Sequence, residues 1–302
     1  MRFSDLTTGY EFPPSALALD GETVARYLAA TGDDNNIYWR DGAPSIVPPL
    51  AVAALFSLRG MAENLALEPG ALHTGQELTF RRPITVGERL TTQARVGGSS
   101  KRRGMAVLAI DITVVDDMGE EALSGRMNLL VPGEGVDGAH IPLPGGAAVH
   151  ADLAQTVSVA YRPLSHGEIV AGMALGPLER TPSRDIVDAY AVASGDYNPI
   201  HVDLDFAARS PFGGTIAHGM LVLSYLSTLL TRSFGMRWIN TGALKVRFRS
   251  PAPVGLPVTA RGVIERVERG DGVQYAVCTV IVENALADAL ITGEARVHIP
   301  EE

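Results

Sequence analysis

Residues 193–202 read Ala-Ser-Gly-Asp-Tyr-Asn-Pro-Ile-His-Val, and residues 30–39 read Ala-Thr-Gly-Asp-Asp-Asn-Asn-Ile-Tyr-Trp. Five of the ten positions are identical (Ala, Gly, Asp, Asn, Ile) at a constant offset of 193 − 30 = 163. The agreement extends outward in both directions. Asp20 aligns with Ser183, two good helix N-caps, and Tyr27 aligns with Tyr190. Thr74-Gly75 matches Thr241-Gly242, and Pro83-Ile-Thr-Val-Gly87 matches Pro251-Ala-Pro-Val-Gly255. A recurring order of events marks one supersecondary unit used twice.

Each copy reads alike. A capped helix (Asp20–Thr31; Ser183–Ser194) stops at a glycine suited to a helix C-terminus, Gly32 or Gly195. The Asp-x-Asn loop follows, then a strongly apolar helix, about Leu50–Asn64 and Gly219–Arg232. The runs 76–81, 89–96, 105–116 and 122–131 in the first copy, and 243–249, 258–267, 273–283 and 289–299 in the second, alternate as antiparallel strands with one covered face. A helix apolar nearly all round must be buried. A curled antiparallel sheet around one long helix satisfies both patterns, which gives an α+β fold built from two tandem units. The stretch Val131–Ala148, with five glycines and three prolines, can be neither regular helix nor central strand. The expected organisation is a first unit over 1–132, a linker over 133–156 and a second unit over 157–302.

The chain has 302 residues, a net charge of −9 and no basic tract longer than Lys101-Arg102-Arg103, so it is a poor non-specific binder of nucleic acid. Hydrophobic content of 46% and charged content of 20% are those of a globular protein. The one cysteine, Cys278, allows neither a disulfide framework nor a cysteine-rich zinc site, and its apolar surroundings predict a buried, inert thiol. The longest apolar run, Met220–Leu230, is too short to span a membrane. The N-terminal residues lack a signal-peptide pattern, and the cytoplasm is the expected compartment.

The densest reactive cluster is Gly195-Asp-Tyr-Asn-Pro-Ile-His201. Asp196 and His201 lie on a loop held by Gly195 and Pro199, where a turn can bring both to one point. The same string also fits a plain Asx-turn, with Asp and Asn serving the backbone and His201 packing nearby. A metal site is the weaker reading, since the loop holds one histidine and no second ligand at helical spacing. Gly213-Gly-Thr-Ile-Ala-His-Gly219 has no following lysine and is not a phosphate loop.

The whole string from Tyr190, YAVASGDYNPIHVD, followed by Ala217-His-Gly-Met-Leu221, resembles the signature of the MaoC-like, (R)-specific (type 2) enoyl-CoA hydratases. The resemblance is sharpest over Arg184–Ser227. It implies a hot-dog fold, here in the two-copy (double hot-dog) form, and water addition across the C2=C3 bond of a trans-2-enoyl thioester, or its reversal. It implies Asp196 and His201 as the catalytic pair, the Gly219 N–H as oxyanion donor, and Ser227 as a contact for the pantetheine arm. It leaves His218 outside the acid–base pair, with a hydrogen bond at the helix start. Asn198 is expected to fix the loop or the carboxylate, and Tyr197 to lie beside the substrate. Coenzyme A would enter as part of the substrate, with no separate cofactor and no metal. Arg247, Arg249 and Lys101–Arg103 are candidates for its phosphates. A homodimer or higher homo-oligomer is the expected assembly.

In the first copy Asp33 and Asn35 persist, but Tyr38 stands at the histidine position and Pro49 at the glycine position. A phenol is a poor base near neutral pH, and proline has no N–H to offer an oxyanion. One active site per chain is expected. Tyr38 to Pro49 spans 11 residues against 18 from His201 to Gly219, a shortening expected to open room for a long acyl group between the copies. The rivals are a dehydratase of carrier-protein thioesters, a hot-dog thioesterase and a non-catalytic acyl-binding partner. Gly219–Arg232 contains no Asp or Glu, which argues against a thioesterase that draws its carboxylate from the central helix.

Overall fold

The structure, a computed structural model, describes residues 1–62, 67–136, 162–270 and 273–299. The first half runs β1 (Ser15–Ala18), α1 (Gly21–Thr31), the short ribbon β2 (Trp39–Arg40) and β3 (Ala43–Pro44), α2 (Pro49–Ala62), then β4 (Leu72–Phe80), β5 (Arg89–Arg102), β6 (Met105–Asp116) and β7 (Glu121–Pro132). The second runs β8 (Ala174–Arg180), α3 (Arg184–Ser194), the short helices α4 (Pro199–Val202) and α5 (Leu204–Arg209), α6 (Gly219–Phe234), α7 (Met236–Thr241), then β9 (Ala243–Phe248), β10 (Val258–Gly270), β11 (Val273–Asn284) and β12 (Ala289–Ile299). Of the expected linker, only 133–136 lies within the described residues.

The two five-stranded units join into one ten-stranded antiparallel sheet, in the order β1-β5-β6-β7-β4-β9-β12-β11-β10-β8. The seam is β4 against β9, with Leu78 opposite Leu244 and Gly75 opposite Arg247. Sequence reading missed the two edge strands. β1 is only four residues long, and β8 contains Gly176-Pro177, a breaker pair that an edge tolerates because proline offers no ladder N–H.

Both leading helices are capped as expected. Asp20 accepts from the Thr23 N–H at 2.7 Å and Ser183 from the Ile186 N–H at 3.4 Å, while Gly32 and Gly195 close the helices at φ 63° and 75°. α1 packs on α3, with Tyr27 and Tyr190 6.0 Å apart between ring centroids. α6 is buried along almost its whole length across β8, β10 and β11. Three of its hydroxyls bond within the helix: Ser224 donates to the Leu221 carbonyl, Thr228 to Ser224 and Ser233 to Leu229. Cys278 is fully buried, and that burial pushes its thiol up to about 12. Lys101–Arg103 sit at the β5–β6 hairpin, where Arg103 and Gly104 take φ of 52° and 78°. No described helix is long and apolar enough to cross a membrane.

Candidate active site

The loop after α3 is built from its own polar side chains. The Asn198 N–H bonds Asp196 Oδ1 at 3.2 Å, and Asn198 Oδ1 accepts from the Ile200 N–H at 3.4 Å, starting α4 with Pro199 at its first turn. Asn198 also reaches the other half: its amide donates to the Ala71 carbonyl at 3.0 Å, and its oxygen accepts from the Gly70 N–H at 3.2 Å. The catalytic-type loop of one copy is thereby tied to the chain that follows α2 in the other.

His201 projects from α4 and is nearly buried. Its Nδ1 lies 2.9 Å from the Ile216 carbonyl, which can only accept, so Nδ1 carries the hydrogen and Nε2 keeps its lone pair. Burial holds its pKa below the ordinary 6.5, against the pull of Asp196, so the ring is neutral near pH 7. Arg184, paired with Asp188, donates to the His201 backbone carbonyl at 2.8 Å and fixes α4 against α3.

His218 precedes α6 and departs from expectation. Its side chain makes no bond to the helix start. Nε2 instead donates to the Asp196 carbonyl at 2.9 Å, so it anchors the loop. Its ring lies 4.0 Å from that of His201, and its buried Nδ1 has no hydrogen-bond partner. Burial first, then neighbouring His201, lowers its pKa to about 3.

Asp196, Asn198, His201 and Gly219 line one cavity of about 130 Å³ with Phe212, Ile216, Met220, Val222 and Phe248. Gly219 is the first residue of α6, where a backbone N–H has no acceptor within the helix. A Cβ on Gly219 would fall 3.0 Å from the Phe248 ring. The missing side chain therefore makes room for Phe248.

The remaining sequence candidates divide. Arg249 is an exposed residue of the cavity lining, and its Nε donates to Thr292 Oγ1 at 2.8 Å. Arg247 is exposed on β9 and is not part of the lining. Tyr197 is 59% exposed and is not part of the lining. Ser227 is buried and accepts from the Trp238 indole N–H at 3.1 Å. That bond holds α7 to α6, and Ser227 is not part of the lining. Lys101–Arg103 lie outside the lining as well.

Sequence reading missed what the first half contributes. Leu67, Ala71, Leu72, His73, Thr74 and Leu129 form the opposite wall. His73 enters through a bulge in β4, where the register against β7 slips between His73 and Gly75. Its Nε2 donates to the Gly75 carbonyl at 3.0 Å, its ring sits 4.8 Å from Phe248, and burial lowers its pKa to about 4. None of residues 39–48 lines the cavity.

The corresponding groups of the first half are closed off: Asp33 and Tyr38 do not line the pocket of about 510 Å³ that borders Asp34, Asn35 and Thr231. Asp33 is buried, and burial raises its pKa; Asn35 donates to it at 2.5 Å. The Tyr38 hydroxyl is 2.9 Å from Thr231 Oγ1 on α6, and Pro49 opens α2.

Family models match each half separately. A family model described as "MaoC like domain" covers residues 168–285, and one described as "FAS1-like, dehydratase domain region" covers 6–124. The 3-hydroxyacyl-thioester dehydratase Z of Mycobacterium tuberculosis is 40% identical over 108 residues, covering 34% of this chain and 72% of that protein. An (R)-specific enoyl-CoA hydratase of Aeromonas caviae is 35% identical over 116 residues, covering 38% and 84%. A solved MaoC-like dehydratase superposes with a TM-score of 0.74 at 19% identity, covering 99% of both chains. The Mycobacterium tuberculosis protein Rv0216, described as having a double hot-dog fold, gives 0.66 at 16% identity, covering 99% and 97%.

Proposed function

Since the chain belongs to the MaoC-like dehydratase family, with the double hot-dog fold of a hydro-lyase, we propose that its second half hydrates trans-2-enoyl-CoA to (R)-3-hydroxyacyl-CoA, or runs the reverse dehydration. The observation that carries this reading is the convergence of the Asp196 carboxylate, a neutral His201 with a free Nε2 lone pair, and the Gly219 N–H on one cavity. In the hydration direction His201 and Asp196 hold the water and take its proton as oxygen bonds to C3. The electron pair of the double bond moves toward the thioester oxygen, where the Gly219 N–H at the start of α6 stabilises it. A proton returned to C2 restores the thioester, so the reaction balances with no redox group. Such positioned acid–base groups contribute about 10²–10⁴-fold.

Asn198 acts as a positioning residue through its bonds to Gly70 and Ala71. Arg249, exposed on the cavity lining, is placed to meet an anionic part of the substrate. The names of the relatives, an enoyl-CoA hydratase and a hydroxyacyl-thioester dehydratase, support the same reaction class on an acyl thioester.

The test is absorbance loss of the conjugated enoyl thioester on adding the protein to crotonyl-CoA and longer homologues, followed by chiral analysis of the product. The (R)-3-hydroxyacyl thioester is expected. Release of free thiol with the double bond intact would replace this reading with a thioesterase.

A further inference from the structure

The fold joins to the catalytic-type loop a histidine that the loop itself lacks, and we propose that Asp196, His201 and His218 form an inhibitory binding site for one divalent transition ion of the zinc class. The site stands on its own geometry, and only its inhibitory consequence rests on the hydratase reading. His218 lies 218 − 201 = 17 residues beyond His201, yet one ligand atom from each of the three side chains falls within 4.8 Å of the others.

The hydrogen bonds select the ligand atoms. His201 gives its Nδ1 hydrogen to the Ile216 carbonyl, and His218 gives its Nε2 hydrogen to the Asp196 carbonyl. Each ring keeps one lone pair, on His201 Nε2 and His218 Nδ1. Metal-bound histidines are held in this way, with the far nitrogen donating to a backbone carbonyl or a carboxylate. His218 is 1% exposed, and its Nδ1 has no hydrogen-bond partner, so a buried lone pair stands unsatisfied beside a carboxylate. An electropositive ion answers that deficit.

The donor set also selects the ion. Two imidazoles and one carboxylate suit zinc-class metals, whereas calcium and magnesium require oxygen ligands. With bonds of about 2.0–2.2 Å, tetrahedral ligands stand roughly 3.3 Å apart, so the site must draw in by about 1–1.5 Å on binding. Asp196 can supply that movement: among the described residues its carboxylate accepts a single hydrogen bond, from Asn198. Three protein ligands leave a fourth position open to the cavity. The ion would take the His201 lone pair that the hydration step needs, and it would occupy the place of the reacting water. The first half has Tyr38 and Pro48 at the two histidine positions, so one ion per chain is expected.

The test is titration of chelator-treated protein with Co²⁺, read by visible absorption, and with Zn²⁺, read by equilibrium dialysis, each with and without butyryl-CoA. One ion per chain, with the bands of a four- or five-coordinate nitrogen and oxygen site, is expected. Butyryl-CoA should weaken binding, and Zn²⁺ should inhibit hydration until chelator is added. His218→Gln, His201→Ala and Asp196→Asn should each weaken binding at least tenfold, with circular dichroism confirming the fold. If one of these variants does not fold, the wild-type competition with butyryl-CoA and the remaining variants carry the test. No stoichiometric ion, or an ion retained by every folded variant, or one indifferent to butyryl-CoA, would overturn the site. A bound ion lost in the variants, together with metal-free protein that hydrates no enoyl thioester, would overturn the inhibitory role alone.

Discussion

Asn35 and Asn198 occupy equivalent places in the two halves, and each reaches across to the other half, but they meet different things. Asn35 donates to the Thr228 carbonyl on α6 at 3.3 Å, and a few residues on Tyr38 bonds Thr231 on the same helix. The Asp34 carboxylate pairs with Arg232 at the outer end. Asn198 meets a loop, at Gly70 and Ala71, and beside that loop a cavity remains. One unit used twice has thus become a half whose Asp33 and Tyr38 are closed off, the closed half, and a half whose Asp196 and His201 face a cavity, the open half. The Thr228 carbonyl and the Thr231 hydroxyl of α6 bond Asn35 and Tyr38 directly, and the pocket beside the first loop is lined by Asp34, Asn35 and Thr231, without Asp33 or Tyr38. The chain after α2 leaves space beside the second. The closed half is not idle, because it supplies His73, Leu72 and Leu129 to the open one.

The comparison breaks most sharply at the reacting groups. Asp196→Asn and His201→Ala should each lower kcat for enoyl-thioester hydration by about 10³-fold, judged by initial rates on folded variants. Asp33→Asn should leave that rate within a few fold. Equal losses in the two halves would mean that both loops work.

Next comes the helix start. Gly219→Pro gives the open half the residue of the closed half, and proline fits a first helical position while removing the N–H. His218, at φ −58° and ψ 134°, already has the extended conformation that a following proline demands. A fall of about 10²-fold or more in kcat is expected. Gly219→Ala keeps the N–H and crowds Phe248, so it separates loss of the donor from displacement of the ring. Identical effects of the two would place the defect at Phe248.

Asn198→Ala should cost about 1–3 kcal/mol in urea unfolding, because it removes both bonds to the 70–71 loop and leaves buried partners unpaired. Asn35→Ala provides the matched control, with loss of stability and no change in rate.

The cavity that the two halves share should also be acid-sensitive. His73, His201 and His218 all have folded pKa values below the ordinary 6.5, with burial the leading cause, at about 4 for His73 and about 3 for His218. Below pH 6.5 the unfolded chain binds protons that the folded one does not. Stability therefore falls as pH drops from about 6.5, and the loss levels off only below the folded values. Melting temperature against pH should show this decline, and the slope should lessen in His73→Phe. A flat profile from pH 7 to 5 would contradict the assignment of three neutral rings. The smallest effect belongs to Tyr38→Phe, about 1 kcal/mol from the lost Thr231 bond, with no change in hydration.

Much of this comparison was readable in the residues, because it rests on local rules. Asp20 and Ser183 cap, Gly32 and Gly195 stop, and Tyr38 and Pro49 lack the chemistry that His201 and Gly219 have. What was hidden depends on the seam between the halves. His73 looks like any strand residue until a one-residue bulge re-aims it. His218 gains its partner only when the α6 start folds against the α3–α4 loop. The partner of Ser227 was hidden too, because Trp238 lies eleven residues on and reaches it only when α7 folds back on α6.

The measurement that meets the central claim most directly compares two double variants on one enoyl-CoA. Asp33→Asn with Tyr38→Phe alters only the closed half, and Asp196→Asn with His201→Ala alters only the open one. The account predicts near wild-type hydration in the first and loss of at least about 10³-fold in the second. Comparable rates in the two, or activity surviving only in the second, would contradict a single working site in the second half.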